Sequence, residues 1–389
     1  MESTKYKRKI AVFNAFLGGH NIEYLHHIYM NAINDYDIDF TFVVPDYFVI
    51  RKKSLEWPES PNIKFHYFKL DASEYLKICT SPLKKSWVLS RILKRTLKQT
   101  GLYEVVLIET IAFMPFLPFL TKSKTKITSI VYYIPKHHSY NTKAKQLYDK
   151  LLFFLMLKSN RFKRICLLNA IKDTHEYNKT YRTTIFSFLP DPYNPIEVTK
   201  SRDEIRKEFG IDSKDKLFIH FGSMTSRKGT IEILNAIALL DKEKLVGKRF
   251  LFAGKVADAI KEKFYNIIEN IKDKANIIVY DKFCEYDFFG EICKAADYIL
   301  IPYKNVSQSS GLCTYAAQFK TPVIGPSEGL LGEIIRDNGI GIAQEGLDAK
   351  KISEFIVDPT NADKNFSKEA CDIYLKRSTP KEFYNSLIH

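Results

Sequence analysis

Two successive runs of short apolar segments organise this chain, each segment ending at a glycine, a proline or a small polar loop that opens a helical stretch. The second run shows the pattern most sharply. Tyr298-Ile299-Leu300-Ile301 reads as a buried strand stopped by Pro302, and Ser307-Gln308-Ser309-Ser310-Gly311 follows as a loop. A helical stretch runs from about 312 to 319, and Pro322-Val323-Ile324-Gly325 is the next strand. Earlier strands of this run fall at 216–222, 249–255 and 276–280. The first run has strands at 9–13, 40–45, 63–68, 105–108, 127–133, 167–169 and 184–188. Between the runs stands Pro190-Asp191-Pro192-Tyr193-Asn194-Pro195, a stiff linker with three prolines in six residues. Strand–helix alternation requires a parallel sheet with helices on its faces. The expected fold class is therefore α/β, with two Rossmann-like domains facing a central cleft, residues 1–190 and 191–363.

At 389 residues the chain is long enough for two full cores. No apolar run approaches the ~20 residues that span a bilayer. The longest, residues 151–157, is flanked by Lys150 and Lys158 and is expected to be a core helix. The basic start, MESTKYKRKIAVF, runs straight into a strand and lacks a signal-peptide apolar region. Six scattered cysteines without a CxxC favour reduced thiols in a cytoplasmic compartment and disfavour a structural zinc. The net charge of +14 lies wholly in the first half. Residues 1–195 hold 30 Lys+Arg against 16 Asp+Glu, and the remainder holds 29 of each. The first half is thus expected to meet something anionic: nucleic acid, a membrane surface or a phosphorylated acceptor.

Several loops carry candidate chemistry. A Ser/Gly loop opening a helix past the carboxyl end of a parallel strand can bind an anion through helix amides and dipole; Ser309, Ser310 and Gly311 have that placement. A serine before a helix is also a common N-cap, and both readings stand. Arg227-Lys228-Gly229 follows a strand in the same way, and two cations there suit a diphosphate, with a basic surface turn as the plain alternative. Gly18-Gly19-His20 follows the first strand, where a glycine turn admits a ligand to the backbone; it is not a GxGxxG fingerprint, so a dinucleotide is poorly supported. Asp37-Ile38-Asp39 reads as a solvated turn. His137-His138, beyond the strand at 127–133, sits where open sheets place ligands, or is simply a pair of loop histidines. Residues 82–99 form a basic amphipathic helix, with Lys84, Lys85, Arg91, Lys94 and Arg95 opposite a face that includes Trp87. Such a helix suits either a membrane interface or packing on its own domain.

The second half resembles the donor domain of a retaining, family 4-like glycosyltransferase of the GT-B fold. The likeness is carried by FGSMTSRKGTIEIL, LFAGK, YDKF, KAADYILIPYKN and SSGLCTYAAQFKTPVIGP, in that order, over about residues 190–340. It implies sugar transfer from a nucleotide-sugar donor to a glycan or lipid-linked acceptor, in polysaccharide or surface-glycan biosynthesis. It also implies retention of configuration, no cofactor and no metal. Lys228 and Arg227 would hold the diphosphate, with Gly18 and Gly19 near the phosphates and His138 near the sugar. Ser223, Lys255, Phe283, Ser309, Ser310, Gly311 and Tyr315 would complete the donor site. A final helix over about 364–389 would cross back to the first domain.

Two departures stand out. Ser223 occupies the place of a family arginine, and Ser307 and Tyr315 the places of two family glutamates, leaving Glu333 as the first replacement carboxylate and Glu328 behind it. The acceptor or membrane side is expected at His20, Lys84, Lys85, Trp87, Arg91, Lys94 and Arg95, with the protein cytoplasmic and peripheral to the inner face of a membrane. An inactive nucleotide- or glycan-binding protein of the same fold is the alternative. Nucleic acid is not expected as a partner, because no interleaved aromatic–basic motif is present.

Overall fold

The computed structural model describes residues 7–18, 20–138 and 142–389. The chain divides into two compact units. One comprises Met1–Pro135, Tyr140–Pro192 and Pro380–His389; the other comprises Lys136–Ser139 and Tyr193–Thr379. The linker lies at the junction, and residues 364–379 stay with the second unit.

The first unit is built on seven parallel strands: β1 (Arg8–Phe13), β2 (Ile38–Pro45), β3 (Ile63–Phe68), β4 (Glu104–Leu107), β5 (Lys126–Val131), β6 (Phe162–Leu168) and β7 (Phe186–Leu189). Their order is β3-β2-β1-β4-β5-β6-β7. Ile10 of β1 pairs with Phe40 on one side and Glu104 on the other, so the strand order reverses beside β1. Right-handed crossovers then put His20–Ala32 and Phe48–Ser54 on one face, and Pro82–Thr100, Leu117–Leu120, Lys143–Lys158 and Ile171–Tyr181 on the other. The first face buries Tyr24, Ile28, Tyr29, Phe40 and Phe42 together with Phe383, Leu387 and Ile388 from the chain end.

One helix takes up one of its two open readings, and another differs from expectation. Pro82–Thr100 turns its apolar face inward: Val88, Leu89, Ile92, Leu93 and Leu97 are buried, and only Leu83 and Trp87 remain exposed. Ser86 and Ser90 donate to the Phe113 carbonyl at 2.5 and 3.0 Å, anchoring that inward face. The run at 151–157, expected to be core, belongs to Lys143–Lys158 and is buried on one side only; Leu151 and Phe154 stay exposed. A continuous apolar run surrounds a helix, and only one side of a surface helix meets the sheet.

The chain end also differs. The single helix expected over about 364–389 is broken into Lys368–Arg377, in the second unit, and Pro380–Ile388, in the first. Proline disfavours helical geometry in the residue before it and lacks the amide that would continue the ladder. The Ser378 amide closes the earlier helix on Tyr374 and Leu375. Pro380–Ile388 packs on His20–Ala32, where the Tyr384 hydroxyl donates to Asp35 at 2.6 Å.

The second unit has six parallel strands: β8 (Lys216–Phe221), β9 (Lys248–Ala253), β10 (Asn276–Tyr280), β11 (Tyr298–Leu300), β12 (Val323–Pro326) and β13 (Gly341–Gln344), in the order β10-β9-β8-β11-β12-β13. The reversal here falls between β8 and β11. Strand β13 escaped the sequence reading because it is a short, glycine-opened edge strand with little apolar character. Ile233, Leu234 and Ile237 of helix Thr230–Ala238 pack on Phe218, Phe250 and Phe252 of the sheet.

Candidate active site

The carboxyl ends of β8 and β11 flank the reversal of the second sheet, where an open α/β sheet leaves room for a ligand. Three loops meet there. Gly229, with φ +72°, closes the loop after β8, and a Cβ on it would lie 2.2 Å from the Pro302 carbonyl oxygen. Gly254, with φ +133°, would place a Cβ 2.0 Å from the Gly222 oxygen. No side chain fits at either point, so the backbones after β8, β9 and β11 run in direct contact. Hydrogen bonds fasten them: Lys304 N–H to the Arg227 carbonyl and Met224 N–H to the Lys255 carbonyl, both 2.9 Å.

His220, on β8, braces this arrangement from below. It is fully buried, with Nδ1 2.9 Å from the Leu300 carbonyl and Nε2 2.9 Å from the Thr230 hydroxyl. A carbonyl only accepts, so Nδ1 carries the proton and Nε2 accepts from Thr230. Burial pushes His220 down to about 4, which keeps it neutral.

Lys228 ends the short 3-10 turn Ser226–Lys228. Its ammonium lies 5.3 Å from the centre of the Tyr303 ring, an attractive cation–π position. Burial first, and the Arg227 charge second, push Lys228 down to about 8, with no carboxylate among the described residues acting on it. A half-buried ammonium beside a second cation is costly to keep charged, and an arriving anion would relieve that cost. Arg227 is exposed alongside it. Tyr303, beneath the ammonium, is buried, which pushes its phenol up; Ser310 is the polar neighbour that opposes the shift.

The serine loop lies on the same side. Gly311 borders open space, with nothing within 4 Å of a Cβ built there, and Ser309 and Ser310 are half-buried. Helix Leu312–Gln318 starts immediately after, with Thr314 donating back to the Gly311 carbonyl at 2.7 Å. Ser307 is instead fully buried and donates to Asn305 at 2.8 Å, while His138 Nδ1 lies 3.3 Å from its hydroxyl. His137 Nε2 lies 3.8 Å from Glu333 Oε1. Lys136–Ser139 belongs to this unit, so His138, Glu333 and the serine loop form one neighbourhood. Glu328 is engaged elsewhere, accepting from the Gly346 amide at 3.0 Å.

Tyr315 does not stand open as a carboxylate would. Its ring packs edge-on against Phe289, at 4.9 Å between centres, and Tyr193, at 6.2 Å. Ser223 and Lys255 are exposed at the mouths of their loops. Phe283 is 76% exposed just past β10, next to the Tyr280–Phe288 stack at 4.3 Å.

In the first unit, Gly18 is exposed with open space around it, and Gly19 lies outside the described residues. His20 points to solvent and pairs with Glu23 at 3.1 Å. Lys84, Arg91, Lys94 and Arg95 are exposed, Lys85 lies over the Phe16 ring at 5.1 Å, and Trp87 meets Phe116 edge-on at 5.2 Å.

The sequence reading missed a polar cluster at the reversal of the first sheet. Asn21 donates to Glu109 at 3.3 Å, Tyr132 donates to Asn21 at 3.1 Å, and Asn14 donates to the Asn21 carbonyl at 3.1 Å. Burial raises the Glu109 carboxyl above its ordinary value, against the pull of Lys85 and the bond from Asn21. The available signal was an acid directly after the apolar run Val105-Val106-Leu107-Ile108.

Residues 201–370 match the sequence profile of the family described as "Glycosyl transferases group 1". No curated protein matches the chain in sequence. A glycosyltransferase from Rickettsia africae ESF-5 is similar in structure, with a TM-score of 0.67 at 12% identity, covering 97% of this chain and 96% of that one. WaaG, a glycosyltransferase involved in lipopolysaccharide biosynthesis, gives 0.65 at 14% identity, covering 97% of each chain. Anabaena HepE in complex with UDP-glucose gives 0.67 at 10% identity, covering 97% of this chain and 98% of that one. At these identities the likeness is one of fold.

Proposed function

We propose that this chain, which shares the GT-B fold of those structures and whose residues 201–370 match the glycosyl transferases group 1 profile, is a glycosyltransferase that moves a sugar from a nucleotide-sugar donor to a glycan or lipid-linked acceptor. Transfer proceeds with retention at the anomeric carbon, in polysaccharide or surface-glycan synthesis, at the cytoplasmic face of a membrane. The observation that carries the donor side is Lys228, a half-buried ammonium pushed down to about 8 beside Arg227 and opposite the open space at Gly311.

The diphosphate of the donor sits against Lys228, Arg227 and the Ser309–Gly311 loop. As the bond from the anomeric carbon to the diphosphate oxygen breaks, negative charge grows on that oxygen. In this reading Lys228 and Arg227 stabilise it without a metal. The positive potential of Lys228 and Arg227 becomes attraction to the leaving group. Phe283 and the Tyr280–Phe288 stack offer an apolar surface to the base, and His138 and Glu333 flank the sugar. The acceptor is taken up by the first unit, where Glu109 follows β4 and accepts from Asn21.

The test is a melting-temperature panel of nucleoside diphosphates and nucleotide sugars, UDP-glucose first, with and without EDTA, on wild type and Lys228→Ala. A ligand that binds only the folded state raises the melting temperature by mass action. The reading requires one diphosphate family to stabilise wild type, not the variant, and to do so in EDTA. It then requires turnover of the corresponding donor with retained anomeric configuration. Stabilisation only with a divalent cation removes the metal-free mechanism, and binding without turnover removes the transferase mechanism.

A further inference from the structure

Helix Lys143–Lys158 of the first unit carries an exposed apolar stripe. Leu147, Leu151 and Phe154 are 70%, 48% and 52% exposed, at the spacing of one helix face. Leu152, Phe153 and Met156 are buried on the opposite side, which settles how the helix faces its sheet. Lys143, Lys150 and Lys158 fall within about 60° of the stripe at 100° per residue, all three exposed. Lys158 Nζ lies 5.8 Å from the Phe154 ring centre. The only carboxylate of the helix, Asp149, is turned inward and buried.

The same layer of the sheet extends this character. Phe119 of Leu117–Leu120 is 70% exposed. Pro82–Thr100 exposes Leu83 and Trp87 among Lys84, Arg91, Lys94 and Arg95, and contains no acidic residue. Part of the positive charge of the first half of the sequence therefore lies beside exposed apolar side chains. Such apolar exposure marks an interaction surface. Protein interfaces are depleted in lysine, whereas a bilayer surface takes apolar side chains at the acyl boundary and lysines at its phosphates. Among the described residues no helix is long and apolar enough to cross a membrane, so attachment of this kind lies on the surface.

We propose that this helix layer, led by Leu147, Leu151 and Phe154 with Lys143, Lys150 and Lys158, docks the protein on an anionic lipid bilayer. The inference deepens, and rests on, the membrane-side placement proposed above. Pro82–Thr100 then contributes charge and its first turn rather than a full interfacial face.

The experiment is co-sedimentation of the full chain with phosphatidylcholine vesicles, with and without phosphatidylglycerol. Leu147→Ser/Leu151→Ser/Phe154→Ser and Lys143→Gln/Lys150→Gln/Lys158→Gln are compared with wild type, and unchanged melting temperatures verify folding. Wild type is expected to bind only the anionic vesicles. The apolar variant should lose at least about tenfold in partitioning. The lysine variant should lose roughly a hundredfold at low salt, a difference that shrinks at high salt. Absence of wild-type binding overturns this proposal and the membrane placement together. Equal binding by wild type and both variants overturns this surface and leaves the membrane placement standing. A wild-type dimer that the serine variant converts to monomer assigns the stripe to a second copy of the chain and overturns the lipid proposal.

Discussion

The Lys304 amide donates to the Arg227 carbonyl at 2.9 Å, so the loop bearing the two candidate phosphate-binding cations is fastened to the segment leading into the serine loop. These stretches, some 80 positions apart in the chain, are thus joined backbone to backbone. The strands beneath them are tied in the same way, by His220 bridging β8 to the Leu300 carbonyl.

Gly229→Ala tests this fastening. The added methyl meets the Pro302 carbonyl at 2.2 Å, and φ +72° is unfavourable for alanine. We expect a loss of about 2–4 kcal/mol in denaturant unfolding, together with loss of diphosphate binding. Wild-type stability and affinity in this variant would contradict the account of the loops.

Lys228→Gln should move stability and binding in opposite directions. The folded lysine titrates near 8 against an ordinary 10.5, so the unfolded chain binds more protons between these values. Lys228 therefore opposes folding at and below about pH 8, and that opposition is lifted as pH rises toward 10.5. The variant should melt at or above wild type at pH 7 without ligand. Its diphosphate affinity should fall about 10- to 100-fold, the value of a charge-assisted hydrogen bond. Wild-type affinity should weaken above about pH 8 and the variant's should not. Calorimetric titration across pH 6.5–9.5 checks both; a parallel pH profile in the two proteins would remove Lys228 from the anion site.

His220 makes the second unit acid-sensitive. Its value is lowered to about 4 from 6.5, so its contribution is complete above pH 6.5 and is lost as pH falls toward 4. The full loss is on the order of 3 kcal/mol. His220→Phe should flatten stability against pH over that window and cost about 1–3 kcal/mol at pH 7, since the Leu300 carbonyl loses its His220 partner and Thr230 keeps only the bond to the Thr225 carbonyl. His27, also lowered to about 4 in the first unit, is the reason to follow the second unit with a local probe.

Glu109→Gln keeps an acceptor for Asn21 while removing the charge. If the first unit holds the acceptor, kcat/KM for acceptor should fall roughly 10- to 100-fold with donor affinity unchanged. Because burial raises the Glu109 carboxyl, any pH dependence that it imposes should lie above the ordinary carboxylate range and vanish in the variant. Unchanged acceptor kinetics would return this cluster to a structural role.

Much of this protein was legible in its sequence because it depends on local pattern. Apolar strand runs, the loops that end them and the break at Pro190–Pro195 determined two parallel α/β sheets, and Arg227-Lys228-Gly229 and Ser309-Ser310-Gly311 could be placed past strand ends from periodicity alone. What a face packs against is not a local property. The pattern of Pro82–Thr100 served equally well for a membrane or for a sheet, and only the tertiary structure turned Leu89 and Leu93 inward. It also left Leu147, Leu151 and Phe154 in water, although the sequence made their helix look like core. The Asn21–Glu109–Tyr132 cluster and the burial that moves Lys228 likewise join residues distant in the chain, and only folding brings them within hydrogen-bonding or desolvating range.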